Sequence, residues 1–136
     1  MRNLRLAWIC RVAIVLAIAG VFGNWRHAGP VSLNGVEGPH NGWLVIIFGL
    51  IALAGVSALA RGSWLGIVAV LGAAAVMISV PIEDALSAGD AVGGSSGWGA
   101  WLTCAASVVL AAVAILAAAR RVGPASDVGA DPSPAP

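Results

Sequence analysis

Apolar residues in this chain gather into four long runs, at residues 6–23, 43–60, 64–80 and 98–119. Each run is 17 to 22 residues long, close to the roughly 20 that carry a helix across a hydrocarbon core about 30 Å thick at 1.5 Å per residue. The runs lack a two-residue alternation of apolar and polar positions and exceed the 9–11 residues or so of a membrane strand. The pattern therefore predicts an all-α fold, a bundle of four transmembrane helices. Polar connections fall at 24–42, 61–63 and 81–97. The three-residue link predicts that the second and third helices are antiparallel neighbours. The last segment, 122–136, is rich in Pro, Ala, Ser, Asp and Gly and is expected to be a disordered tail.

Composition supports the same reading. Of 136 residues, 60% are hydrophobic and 10% are charged, against about 25% charged in soluble domains. A soluble fold of this size buries only about two-thirds of its chain surface and would expose large apolar areas. A net charge of +1 excludes a strongly basic nucleic-acid binder.

The seven arginines are distributed unevenly. Arg2, Arg5, Arg11, Arg61, Arg120 and Arg121 fall on one side of the four-span plan, and Arg26 alone on the other. The positive-inside rule places the six in the cytoplasm of a cell membrane, with both termini inside. Tryptophan gives a second line of argument, because indoles prefer the headgroup layer. Trp8 and Trp64 are expected at the inner interface, and Trp25, Trp43, Trp98 and Trp101 at the outer one. Cleavage of a signal peptide after Ala17-Ile18-Ala19 would leave too short an apolar stretch beyond Arg11, so the first run is expected to stay as a helix.

Two spacings hint at a repeat. Arg5-x-x-Trp8 recurs as Arg61-x-x-Trp64, and Asn41-Gly42-Trp43 as Ser96-Gly97-Trp98. These read either as two tandem helical hairpins or as the Arg and Trp that any two hairpins place at an interface. Small residues four apart, Gly62/Gly66 foremost, are candidates for close helix packing.

Candidate chemistry is sparse. The second, third and fourth runs carry no ionisable side chain other than cysteine, which argues against a pump, a charged pore or a voltage sensor. Arg11 near the start of the first run is expected to snorkel to the headgroups. In the first outer loop, His27, Glu37 and His40 carry metal-ligand chemistry, but their spacing matches no motif; solvated or capping roles are expected, with a metal site as the alternative. Asn34-Gly35 between Leu33 and Val36 predicts a hairpin turn, and Asn41 a helix cap. Pro81, followed by Glu83 and Asp84, predicts the start of a separate short interfacial helix. Cys10 and Cys104 are expected at different depths and unpaired. No phosphate loop, HExxH pair or nucleophile elbow occurs, and no cofactor is expected.

The stretch Leu33-Asn34-Gly35-Val36-Glu37-Gly38-Pro39-His40-Asn41-Gly42-Trp43, leading into an aliphatic helix, resembles small four-span membrane proteins of actinobacteria that have no assigned function. The Ala- and Arg-rich, Lys-free composition is similar. The resemblance implies the four-span plan and transfers no catalytic residue. The sequence thus favours a non-enzymatic membrane protein, an accessory or scaffold subunit whose partners are the lipid bilayer and other membrane helices or a second copy. A small transporter or channel for an uncharged solute, and an outer-face metal or ligand sensor, are the alternatives.

Overall fold

A computed structural model describes residues 2–28, 30–37, 41–89 and 94–121. In chain order these form α1 (Arg2–Val21), β1 (Asn24–Ala28), β2 (Val31–Asn34), α2 (Gly42–Ala60), α3 (Trp64–Gly89), β3 (Gly94–Ser96) and α4 (Trp98–Ala119). All four helices are long and apolar enough to cross a membrane, with mean hydropathies of 2.0 to 2.5. By that length and composition the chain is a multi-pass membrane protein. The helices form a ring in which α1 and α3 each neighbour both α2 and α4, an all-α four-helix bundle. One end carries the start of α1, the α2–α3 turn and the end of α4, and is called the terminal face below. The other end carries the strands and is called the sheet face.

The α2–α3 turn follows from one glycine. Gly62 has φ +83°, a left-handed conformation that costs a Cβ-bearing residue energy. It lets Gly62 N–H donate to Leu59 O (2.9 Å) and Ser63 N–H to Ala58 O (3.0 Å), the paired bonds of a Schellman stop. Gly62 therefore makes the turn, and of the expected Gly62/Gly66 pair only Gly66 packs against α2. Gly62 is exposed, and the close α2–α3 approach runs instead through Gly66 and Gly55. A Cβ at Gly66 would lie 2.7 Å from Gly55 O.

One other expectation is corrected in α3. It is a single 26-residue helix with Pro81 inside it, not a membrane helix followed by a separate interfacial one. Its last two turns are held from outside, by Arg26 of β1 on Asp84 and Ser87. Proline is tolerated inside membrane-spanning helices, and the Arg26 contacts tie the segment beyond Pro81 to the sheet.

The bundle's interior is filled. Ile14, Ile67, Met77, Leu110, Val56 and Val70 are at most 1% exposed. Among the polar residues buried there, Thr103 Oγ1 lies 3.0 Å from Gly99 O and 3.1 Å from Ala17 O, and Ser107 O–H donates to Thr103 O at 2.7 Å. Backbone carbonyls thus satisfy hydroxyls that hydrocarbon cannot. Cys10 is buried and Cys104 half-buried, and both are free thiols. The tail expected at 122–136 lies outside the described residues.

Candidate functional site

Polar chemistry collects on the sheet face. A small antiparallel sheet of order β2-β1-β3 covers that end of the bundle. The hydropathy pattern carries no sign of it. Its register runs Asn24↔Asn34 and then Arg26↔Leu33, so Trp25 is an extra residue on β1. Such a bulge re-aims a side chain. Here the Trp25 side chain is fully buried, and its Nε1–H donates to Gly20 O at 2.9 Å. The expectation of Trp25 as an interface anchor is therefore corrected: it plugs the end of the bundle. Trp8, Trp43, Trp64, Trp98 and Trp101 are all exposed at their helix ends.

The sheet region also closes helix ends. Gly35 N–H donates to Val21 O (2.8 Å), Gly42 N–H to Gly35 O (3.0 Å) and Gly97 N–H to Trp25 O (2.7 Å). These bonds satisfy groups that helix termini otherwise leave open. Asn41 stands at the α2 N-cap as expected, with its backbone oxygen accepting from Leu44 N–H at 2.9 Å and no side-chain cap bond. The hairpin reversal also differs from expectation. β1 meets β2 at Ala28↔Val31, so the chain turns between those residues. Asn34-Gly35 lies at the far end of β2, where Asn34 Oδ1 accepts from Val36 N–H and Glu37 N–H, both at 3.0 Å.

Of the three residues with metal-ligand chemistry, two lie among the described residues. His27 sits mid-strand, paired with Ser32 and Ser95. Glu37 turns its Oε2 to Asn34 N–H at 3.4 Å. His40 lies outside the described residues. Among the described residues, no three His, Cys, Asp or Glu side chains group as metal ligands do.

A cleft that residue spacing alone does not reveal lies between β1 and the end of α3. It encloses about 340 Å3 and is lined by Trp25, Arg26, Asn41, Glu83, Asp84 and Ser87, with Val80. Arg26 Nη2 lies 3.4 Å from Asp84 Oδ1, with 21% of the Arg26 side chain and 7% of the Asp84 side chain exposed. The same nitrogen donates to Asp84 O (3.2 Å) and Ser87 Oγ (3.0 Å). Ser87 O–H is shared between Glu83 O and Asp84 O. Arg26 Nε is buried with no hydrogen-bond partner among the described residues. The pairing joins residues 58 positions apart. The one available signal was compositional: Arg26 is the single arginine of its side, facing a loop with two adjacent acids.

The terminal face is cationic. Arg5, Arg11, Arg61, Arg120 and Arg121 are exposed, and none has a carboxylate within 4 Å among the described residues. The described acids, Glu37, Glu83 and Asp84, all stand toward the sheet face. Comparison with known proteins finds no matching family model, curated protein or solved structure.

Proposed function

We propose that this chain is a non-enzymatic accessory or scaffold subunit of a larger plasma-membrane complex, with both termini in the cytoplasm. Kinship with the small four-span actinobacterial proteins belongs to the same proposal. The observation that carries it is the filled bundle axis. Side chains from all four helices pack to near-zero exposure along it, and Trp25 occupies its sheet-face end. A core filled in this way favours action through the outer surface, by packing against other helices or a second copy, over passage of a solute through the centre. The cationic terminal face supports the orientation. Purification of the full chain in mild detergent, followed by mass spectrometry, tests the reading. A reproducible stoichiometric membrane partner is expected. Solute flux by the isolated protein in liposomes, with no partner, overturns it in favour of a transporter.

A second reading is favoured by one observation, the Arg26 cleft. An outer-face ligand sensor would use Arg26, Asn41, Glu83 and Ser87 rather than the His27, Glu37 and His40 set. A small polar ligand that raises the melting temperature of the wild type but not of Arg26→Gln supports this reading.

A further inference from the structure

We propose that the groove between α1 and α4 at the terminal face binds one anionic phospholipid, with its phosphate on Arg5 and one acyl chain between the helices. The groove encloses about 390 Å3 and is walled by Trp8, Ile9, Val12, Leu16 and Val109. Its floor is shallow because the two helices meet there through Ala13 and Ala106, both buried. A second hollow, of about 470 Å3, shares Trp8 and Ile9 with the first and adds Leu4 and Arg5. The two form one path from an exposed guanidinium into the hydrocarbon layer.

Its length fits one leaflet. From Arg5 to Leu16 helix α1 rises about 16 Å, roughly half of a 30 Å core. The groove therefore runs from the headgroup level to near the midplane, as one acyl chain does. Beyond that depth α1 and α4 are in close contact. A Cβ at Gly99 would lie 2.5 Å from Gly20 O, which leaves no room for a chain to continue.

Charge selects the headgroup. Arg5 has no carboxylate partner among the described residues, and the first turn of α1 holds no acid. A guanidinium presents a fork of donors that fits phosphate. The apolar hollow between α3 and α4 near the sheet face, lined by Ile82, Leu86 and Trp101, provides the contrast. No arginine among the described residues lines it, so an anionic headgroup finds no guanidinium there.

The test is a lipid titration of the full chain in detergent micelles, read by native mass spectrometry, with phosphatidylglycerol against phosphatidylcholine of the same chains. One retained phosphatidylglycerol per chain is expected, with phosphatidylcholine and free glycerol phosphate not retained. Arg5→Gln should weaken retention about fivefold, the factor expected for one basic residue at an anionic headgroup. Arg61→Gln makes the same charge change away from the groove and should leave retention unchanged. Val109→Trp, which fills the groove from an exposed wall position, should abolish it. Equal retention of the two lipids overturns the proposal, as does equal weakening by Arg5→Gln and Arg61→Gln. So does a copurifying polypeptide that blocks the groove against lipid. If Val109→Trp fails to fold, the contrast between the two arginine variants decides alone.

Discussion

Replacing Gly66 by Ala should drive α2 and α3 apart. A Cβ at Gly66 would press on Leu59 N and lie 2.7 Å from Gly55 O and 2.8 Å from Ala58 C, all of them backbone atoms of α2. Backbone cannot swing aside as a side chain can, so the helices must separate until the 2.7 Å contact approaches the 3.4 Å of ordinary packing. A gap of about 0.5–1 Å forfeits a quarter to a half of the dispersion energy at each contact it opens. Over-packing of this kind costs about 1–3 kcal/mol. Against it stands helix propensity, which favours Ala over Gly by about 1 kcal/mol in a helix interior. Gly72 isolates that gain, because a Cβ there meets nothing within 4 Å. Gly72→Ala is therefore expected to stabilise by up to about 1 kcal/mol. Gly66→Ala should fall below it by the seam cost, about 1–3 kcal/mol, and Gly66→Leu further still. Equilibrium unfolding in mixed detergent micelles, followed by far-ultraviolet circular dichroism, measures both. Equal stabilities of Gly66→Ala and Gly72→Ala would refute the close approach.

Three other outcomes follow from named contacts. Arg26→Gln and Asp84→Asn should each destabilise, and their double-mutant cycle should show a coupling of about 0.5–3 kcal/mol; a coupling near zero would mean the pair does not hold β1 to α3. Trp25→Phe should cost about 1 kcal/mol by removing the indole N–H bond to Gly20 O, which keeps only Gly23 N–H, and Trp25→Ala about 3–5 kcal/mol, in the same unfolding assay; a neutral Trp25→Ala would return the ring to the headgroup layer. Alkylation without reductant, read by intact mass, should modify half-buried Cys104 before buried Cys10, with both modified after unfolding; a chain that takes up no label until reduced would contradict the free thiols.

The four helices were legible because a membrane span is a property of one continuous segment. Hydropathy alone set α2 to within one residue of Gly42–Ala60 and set α4 at Trp98–Ala119. The misread features depend on contacts distant in sequence. Pro81 looks like a helix start when only its neighbours are considered. It lies inside α3, and Arg26, far back in the chain, binds Asp84 and Ser87 beyond it. Trp25 looks like an interfacial indole until a bulge in β1 turns it inward, and that strand is only five residues long. Gly62 and Gly66 looked alike at four-residue spacing, yet one serves a turn through its φ and the other a seam through its missing Cβ. The Arg26 cleft draws on β1, α3 and the start of α2, and no local motif encodes such a meeting.

The central claim is the threading, four spans with the sheet face and the terminal face on opposite sides of the membrane. Single cysteines at Ser32, Ser63, Ser95 and Ser133, each in a Cys10→Ala, Cys104→Ala background, test it with a membrane-impermeant maleimide. Ser32→Cys and Ser95→Cys should react in intact cells, and Ser63→Cys and Ser133→Cys only after permeabilisation. Labelling of Ser63→Cys from outside, or of Ser32→Cys and Ser95→Cys in different compartments, would contradict it.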